Sequence, residues 1–373
     1  MLKEIVISLC AAALLFLTPP ALSGRNFTQP PSLEEKIGQM LMVGFRGCAV
    51  DEKSFIIKDI RAGRVGGVIL FDYDVPLQSH ERNIESPSQV KVLVRSLKES
   101  AACPLFVAVD QEGGNVCRLK ERFGFPPSVS AAFLGKVDDL RQTTRAAQQT
   151  ARTLRDLGIN LNFAPVVDLD VNPENPVIGR LERSFSSDPA RVIRHAEATI
   201  DAFHAHGILS AIKHFPGHGS SAADSHRGFV DVTRTWSVRE LEPFAAIIRS
   251  KRADMVMTAH IVNGTLDPLW PATLSPAIVD AILRGDLAYE GVVISDDMQM
   301  GAIRMHYGLE TAIERALHAG CDILLFANNS VYEEAIASRA CGIIRKLVLR
   351  GSVSAERIDE SYRRIMKLKR HLS

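Results

Sequence analysis

Residues 291–297 read GVVISDD, a short apolar run that ends in two neighbouring aspartates. Val292, Val293 and Ile294 are β-branched, and no polar residue alternates with them. This pattern is typical of a strand buried on both faces of a parallel sheet. Runs of the same kind occupy residues 40–45, 65–71, 105–110, 159–168, 208–215, 254–260 and 321–326.

The segments between these runs carry helix signals. Residues 142–157 lead to Gly158, and glycine is favoured just beyond a helix C-terminus. Ser237 and Glu240 have the spacing of a capping box. Further helices are predicted at residues 87–101, 187–207, 331–349 and 354–371.

Eight strands that alternate with helices predict one (β/α)8 barrel of the TIM type, with catalytic loops at the C-terminal face of the strands. A doubly wound open sheet is the alternative, and it would need a glycine-rich phosphate fingerprint after its first strand. The first strand ends in VGFRG, residues 43–47, and no such pattern follows it. We therefore favour the barrel, and residues 24–373 are predicted to form a single catalytic domain.

The balance of charges excludes one class of partner. The chain of 373 residues has a formal net charge of +1 and contains no long basic run. A nucleic-acid-binding domain would instead carry a basic patch or stripe. We expect a monomer that has no nucleic-acid partner.

The first 23 residues differ from the rest of the chain. Lys3 precedes a largely apolar run, residues 5–17, and the small residues Ala21 and Ser23 follow it. This is the pattern of a secretory signal, so residues 1–23 are predicted to direct export to the periplasm. The alternative is an uncleaved anchor in the inner membrane, although the run is short for a membrane span. No other membrane partner is expected.

Polar side chains stand at the carboxyl ends of several predicted strands. In a barrel of this type the catalytic groups lie where the strands end, at one mouth. One such residue could simply cap the next helix, but the convergence of several on one rim favours a functional site. They are Asp110, Asp168, His214, His260, Asp296 and Asp297.

Residues 213–228, KHFPGHGSSAADSHRG, gather titratable groups around a Pro-Gly turn. Asp224 precedes His226 by two positions, so its carboxylate can accept the Nδ1 proton and stabilise the protonated ring. An imidazole held in this way can protonate a leaving oxygen and later accept a proton from water. The alternative is an Asp-Ser turn that is followed by a histidine without a role. The small residues predict a mobile loop, which we expect to close on substrate.

A metal site is the competing interpretation of the same mouth, with ligands drawn from His214, His218, His226, His260 and Asp296. The sequence contains no His-x-His in the loop and no His-Glu-x-x-His anywhere. Lys213 would also repel a cation, and the five cysteines beyond residue 23 form no Cys-x-x-Cys. We expect no metal and no cofactor.

The motif KHFPGHG, followed by DSH, resembles the signature of glycoside hydrolase family 3, in its single-domain bacterial branch of β-N-acetylglucosaminidases. Other motifs resemble the family in the same order along almost the whole chain after the N-terminal segment. They are GQMLMVGF, GGVILF, VDQEGGNVCRL, FAPVVDLDVNPENPVIG with RSFSSDP, MTAHI and VISDDMQMGA.

The resemblance implies a retaining exo-glycosidase that removes terminal β-linked N-acetylglucosamine from peptidoglycan fragments or chitin-type oligosaccharides. It makes Asp296 the nucleophile, His226 the acid/base and Asp224 the partner of that histidine. The sugar hydroxyls would be bound by Asp110, Arg118, Arg183, Lys213 and His214. Supporting or structural roles are expected for Asp168, His218, His260 and Asp297.

The chain departs from the family pattern at Asn115, where an arginine is usual, and this predicts the loss of an ion pair near Asp110. Residues 180–182 are an insertion. Three alternative functions stay open. Phosphorolysis is one, because a neutral histidine base would not repel phosphate; β-glucosidase-type specificity is another. A non-catalytic sugar-binding barrel is disfavoured, because binding alone requires neither a nucleophile nor an acid/base.

Overall fold

The computed structural model describes residues 30–372, so the predicted signal, residues 1–23, lies outside the described part. Eight parallel strands form one sheet in this part, and an antiparallel hairpin accompanies them. All residues of the eight strands are buried, as the unbroken apolar runs predict. The strands are β1 Leu41–Gly44, β2 Gly67–Leu70, β3 Phe106–Val109, β4 Gln111–Gly113, β5 Val116–Cys117, β6 Leu161–Asn162, β7 Leu209–Phe215, β8 Met255–Thr258, β9 Val292–Ile294 and β10 Leu324–Phe326.

The sheet closes into a barrel. Its strand order is β10-β1-β2-β3-β6-β7-β8-β9, and the hairpin is β4-β5. A parallel bridge between Ile294 and Ile323 joins the two edges of the sheet, and the N–H of Ser295 donates to the carbonyl of Ile323 at 2.9 Å. The prediction of a (β/α)8 barrel is confirmed, and the open doubly wound sheet is excluded.

Helices separate the strands along the chain. Gly158 ends one of them with φ 81°, and Asp188 caps the next by accepting a hydrogen bond from the N–H of Ala190. None of the helices within residues 30–372 combines the length and the apolarity that crossing a bilayer requires. The α-helices are α1 Leu33–Gln39, α2 Phe55–Arg61, α3 Pro87–Glu99, α4 Ala131–Val137, α5 Leu140–Leu157, α6 Pro189–His204, α7 Glu242–Arg249, α8 Gly301–Arg304, α9 Leu309–Ala319, α10 Ile336–Leu349 and α11 Ala355–Lys369, with a π-helix at Ala277–Asp286 and 3-10 turns at Glu121–Phe123, Val238–Leu241, Ala272–Leu274 and Arg370–Leu372.

The predicted strand at residues 159–168 is largely absent. Only Leu161–Asn162 forms a strand there. Proline has no N–H to donate to a ladder, and Pro165 falls in the middle of the segment. Pairing resumes at Val167, whose N–H donates to the carbonyl of Lys213 at 2.9 Å. The chain therefore leaves the sheet early and runs to the barrel mouth as an irregular segment.

Ser237 and Glu240 do not form the predicted capping box. Ser237 caps the 3-10 turn Val238–Leu241 by accepting from the N–H of Arg239. The N–H of Glu240 donates to the backbone carbonyl of Ser237 at 2.9 Å and not to its side chain. The carboxylate of Glu240 accepts from the N–H of Gly219 at 3.1 Å, because the buried side chain faces the loop that follows β7.

Strand β7 is the longest of the barrel, with seven residues, and its end carries Lys213 and His214. Phe215 follows them and packs edge-on against Phe244 of α7, with ring centroids 5.3 Å apart. Both rings are fully buried. Burying a phenylalanine side chain contributes about 1.5–3 kcal/mol, so this contact fixes the strand end that projects into the mouth.

Candidate active site

One cavity at the carboxyl ends of the strands collects the predicted catalytic pair and part of the predicted sugar-binding set. It has a volume of about 460 Å³. Asp110 directly follows β3, and Asp296 lies two residues beyond β9. The four predicted site residues in its lining are Asp110, Arg118, His226 and Asp296.

Lys213 links this cavity to a buried cluster of charges. Its Nζ lies 2.7 Å from Asp110 Oδ1 and 2.8 Å from Glu112 Oε1, and its side chain is only 2% exposed. Arg118 Nη2 approaches the other oxygen of Asp110 at 3.2 Å. Burial pushes the pKa of Asp110 upward, but Lys213 and Arg118 outweigh it and hold the pKa below its usual range. Asp110 is therefore ionised at neutral pH.

Arg183 is fixed by a residue that the sequence did not single out. Glu112 accepts two hydrogen bonds from its guanidinium, at 2.8 Å from Nε and 2.7 Å from Nη2. The carbonyl of Val177 accepts a third at 2.8 Å. Burial lowers the pKa of Arg183, but Glu112 more than compensates and raises it above the ordinary value. We define Asp110, Glu112, Arg118, Arg183 and Lys213 as the ion-pair cluster.

His214 has a defined tautomer. Its Nδ1 lies 2.7 Å from Asp168 Oδ2, and its Nε2 lies 3.2 Å from Arg183 Nη2. Because a guanidinium can only donate, Nε2 is the acceptor and the ring proton sits on Nδ1. Asp168 also accepts the backbone N–H of His218 at 2.8 Å. Asp168 therefore positions the imidazole beside Arg183 of the ion-pair cluster.

Asp224 and His226 form the contact that their spacing predicts. His226 Nδ1 lies 2.8 Å from Asp224 Oδ1, and the backbone N–H of His226 donates to the same oxygen at 2.9 Å. Partial burial lowers the pKa of the imidazole, but Asp224 and the charge of Asp296 raise it overall. With a side chain that is 60% exposed, His226 can hold a proton near neutral pH and still reach solvent.

The two neighbouring aspartates after β9 have opposite electrostatic environments. Burial raises the pKa of Asp296, but His260, His214 and His226 outweigh it, and the pKa is lowered. For Asp297, burial raises the pKa to about 6. Two carboxyl groups with divergent pKa values commonly have different roles. Asp296 has the environment of an ionised nucleophile.

Asp297 and His260 support this strand end. Asp297 Oδ1 accepts from the N–H of Ala327 at 2.9 Å and from the N–H of Gln299 at 3.1 Å. His260 Nε2 lies 2.9 Å from the carbonyl oxygen of Asp297. Since a carbonyl only accepts, Nε2 carries the proton. Both side chains are thereby engaged with the backbone around Asp296.

The segment that carries Asp224 and His226, residues 216–228, is named here the histidine loop. Its first part, residues 216–221, is buried. A Cβ on Gly219 would lie 1.8 Å from the carbonyl oxygen of Leu169, so close packing explains this glycine. The exposed residues of the loop lie from 222 onward. Closure on substrate stays a prediction and concerns this distal part.

Asn115 lies in the turn between β4 and β5. Its exposed side chain donates to the carbonyl of Leu181, in the inserted residues, at 3.4 Å. Asp110 has two cationic partners, Lys213 and Arg118. Asp110 is therefore ion-paired without an arginine at position 115.

Among residues 30–372, no group of three or more histidine, cysteine, aspartate or glutamate side chains has the geometry of a metal site. The histidines that could have formed one are engaged elsewhere, His214 with Asp168 and His260 with Thr273 and the backbone.

Replacing Asp224 with Asn is expected to shift the pH dependence of catalysis. The carboxylate raises the pKa of His226, and a general acid acts only while it is protonated. Without that charge the pKa falls, so the alkaline limb of the kcat/KM profile moves to lower pH, and at pH 8 turnover of a disaccharide falls about tenfold.

The profile is measured from pH 5 to 9. Asp231→Asn is the matched control, since Asp231 makes the same backbone contact, to Thr233 at 2.8 Å, away from the cavity. An unchanged alkaline limb in Asp224→Asn would contradict the role of Asp224.

The chain resembles proteins of known family over nearly its whole length. Residues 32–368 match the model of the glycosyl hydrolase family 3 N terminal domain. The beta-hexosaminidase of Tolumonas auensis is 37% identical over 78% of this chain and 83% of that protein. Beta-hexosaminidase A of Pseudoalteromonas piscicida is 34% identical over 92% of this chain, which spans 62% of that longer protein.

Solved structures agree with these relatives. A glycoside hydrolase family 3 beta-N-acetylglucosaminidase from Paenibacillus sp. superimposes with a TM-score of 0.82 at 36% identity, covering 92% of this chain and 63% of that one. The beta-N-acetylhexosaminidase of Beutenbergia cavernae gives a TM-score of 0.81 at 30% identity, with 91% and 99% covered. The sequence match and the shared barrel lead to one conclusion: this chain belongs to glycosyl hydrolase family 3.

Proposed function

We propose that this protein is a retaining exo-glycosidase that hydrolyses terminal β-linked N-acetylglucosamine. The observation that carries the proposal is the meeting of Asp296 and His226 in one cavity, with Asp224 bonded to the histidine at 2.8 Å. An ionised carboxylate opposite a protonated imidazole supplies both groups that cleavage of a glycosidic bond requires.

In the first step the carboxylate of Asp296 attacks the anomeric carbon. The bond from that carbon to the leaving oxygen breaks, and His226 gives its proton to this oxygen, so the aglycone departs as a neutral alcohol. The product is a glycosyl ester of Asp296. Asp224 stabilises the imidazolium before the transfer, because its charge lies beside Nδ1.

In the second step the neutral His226 accepts a proton from water as the water oxygen attacks the anomeric carbon. The bond to Asp296 breaks, and the aspartate leaves as a carboxylate. The two inversions restore the β-configuration. The environment of each group suits this order, because Asp296 has a lowered pKa and His226 a raised one.

The ion-pair cluster would orient the sugar. Asp110 and Arg118 line the cavity, and Lys213 and Arg183 are held in place by buried carboxylates. Groups fixed in this way bind hydroxyls without a large loss of side-chain entropy. The names of the relatives support an N-acetylhexosamine rather than glucose as the bound sugar; the aglycone is a peptidoglycan fragment or a chitin-type oligosaccharide.

We also propose that residues 1–23 direct export, so that the enzyme acts in the periplasm, with an inner-membrane anchor as the alternative. The basis is the charge and apolar pattern of the segment. Fractionation of cells that express the full chain, with the N-terminus of the recovered protein sequenced, distinguishes a cleaved signal from a retained anchor.

The proposed activity is tested with a chromogenic β-N-acetylglucosaminide and with its β-glucoside counterpart, each in the presence and absence of phosphate. We expect release of free N-acetylglucosamine at a rate that phosphate does not change, and little turnover of the glucoside. Formation of a sugar phosphate would establish phosphorolysis instead. If the protein binds the substrates but turns over neither, the non-catalytic sugar-binding barrel is the remaining interpretation.

A further inference from the structure

Glu240 is a fully buried carboxylate that lies outside the ion-pair cluster. Its Oε2 accepts hydrogen bonds from two successive backbone N–H groups, those of Gly219 at 3.1 Å and Ser220 at 3.3 Å. Its Oε1 is buried and has no hydrogen-bond partner within the described residues 30–372. Burying a carboxylate costs stability unless hydrogen bonds and charges compensate it fully, so its presence calls for a functional reason.

The base of the histidine loop rests on the segment that contains Glu240. A Cβ on Gly217 would lie 2.6 Å from the Cβ of Glu240, and Gly217 has φ 119°. Trp236 Nε1 donates to the carbonyl of Pro216 at 3.1 Å. Residues 216–220 are therefore held by one short piece of chain, Trp236 to Glu240.

Hydrogen bonds connect this base to the Asp224–His226 pair. His218 Nε2 lies 3.2 Å from the hydroxyl of Ser225, the residue between the two catalytic candidates. On the opposite side, Ser225 accepts at its carbonyl from the N–H of Ala302 at 3.2 Å. A shift of residues 218–220 would consequently displace His226 as well.

We propose that Glu240 is a positioning residue that holds the acid/base histidine in place by binding the backbone of residues 219 and 220, and that the hold weakens when its carboxyl group ionises. The proposal rests on the proposed function, because it assigns the acid/base role to His226. Release of residues 216–220 exposes this buried carboxyl group to water, and water favours its ionised form, which makes the charge of Glu240 the variable.

The groups around Glu240 set the pH at which its carboxyl group ionises. Burial raises its pKa to about 7, and the negative charge of Asp168 adds to the effect, against the hydrogen bonds from Ser220 and Ser237. The neighbouring His218 is buried with its pKa lowered to about 4, so it supplies no compensating positive charge near neutral pH. Glu240 is thus neutral below about pH 7, where the loop is held, and ionised above it, where release of the loop is favoured.

Stability and loop order should therefore respond in the same direction. The folded-state pKa of Glu240 lies above its unfolded value, so the folded chain binds more protons between these values and its stability falls as pH rises through about 7. Replacement by Gln removes this loss and keeps a neutral acceptor for the two N–H groups. A purely structural role would instead make Glu240→Gln less stable.

Hydrogen exchange of the full-length protein tests the loop directly. In the wild type we expect the amides of residues 219 and 220 to be on the order of tenfold less protected at pH 8 than at pH 6, after correction for intrinsic exchange rates. In Glu240→Gln protection should be equal at the two pH values, with a melting temperature at pH 8 that is not lowered. Glu242→Gln, an exposed neighbour, is the matched control and should behave as wild type.

Activity supplies the second measurement. At pH 8, Glu240→Gln should raise kcat for a chitin disaccharide several-fold and leave that for an activated aryl glycoside unchanged, because only the former needs a well-placed proton donor. Exchange in Glu240→Gln that matches wild type at both pH values would overturn the proposal, as would equal changes of kcat on the two substrates. Absence of glycosidase activity in the wild type would overturn the proposed function alone, since the exchange measurement does not depend on turnover.

Discussion

Replacing Asp296 with Ala is expected to abolish turnover of a chromogenic β-N-acetylglucosaminide, lowering kcat/KM by at least about a thousandfold. The carboxylate of Asp296 lines the cavity, and His260, His214 and His226 lower its pKa against the effect of burial. Without it no carboxylate attacks the anomeric carbon, so the covalent glycosyl-enzyme intermediate cannot form. The protein should fold normally, because the only hydrogen bond to the carboxylate among the described residues comes from Asp297, its neighbour in the chain.

Azide makes this experiment specific for the mechanism. A small anion that enters the space vacated by the carboxylate should restore turnover of the aryl substrate and give the α-glycosyl azide, with inverted configuration. Asp286→Ala, at an exposed aspartate, controls for the loss of a charge and should retain full activity. A fully active Asp296→Ala protein would contradict the nucleophile assignment, and a β-glycosyl azide would contradict attack from that face.

Replacing His226 with Ala should produce a loss that depends on the leaving group. For a chitin disaccharide, whose aglycone is a poor leaving group, we expect kcat/KM to fall by about 10²–10⁴-fold, the usual contribution of general acid catalysis. For an aryl glycoside with an acidic phenol the first step needs no proton, so its rate should fall far less. Measurement of both substrates with each protein separates proton donation from binding.

Misfolding would lower both rates together and is monitored by thermal denaturation. His318→Ala, which removes an exposed histidine bonded to the carbonyl of Ser352, is the matched control. Equal losses on the two substrates in a folded His226→Ala protein would contradict the role of His226 as the acid. Such a result would point to binding as its main contribution.

The barrel was predictable because its strands are buried on both faces. Each strand then appears as an unbroken apolar run, and the eight runs, separated by helical segments, leave few alternatives. The strand at residues 159–168 was overestimated, since apolar composition alone does not reveal that Pro165 interrupts the ladder. The hairpin Gln111–Gly113 with Val116–Cys117 was missed because its strands are too short to give a periodic signal.

The site was predictable where a residue lies within two positions of a strand end. Asp110 and Asp296 reach the same cavity for this reason, and the spacing of Asp224 and His226 produces their contact. Glu112 was missed because its partners are distant in sequence: Arg183 is 71 positions away. In the sequence, a glutamate beside two glycines is typical of a polar turn. Only the fold brings Arg183 next to it.

Glu240 was misjudged for a related reason. Its distance from Ser237 fits a local capping rule, but the tertiary structure offers it the N–H groups of Gly219 and Ser220 instead. Local rules predict which backbone donors a side chain can reach within its own helix. They do not predict a better set of donors that another loop supplies.

The ion-pair cluster is complete without Asp296. Lys213, Asp110, Glu112 and Arg183 are joined to one another, and within the described residues none of these contacts involves the nucleophile. An inactivated Asp296→Ala chain should therefore behave as a lectin: it would recognise non-reducing chain ends and leave them intact. Immobilised on a column, such a variant would capture the natural glycans of this enzyme from cell-wall or chitin digests, which would identify them by mass.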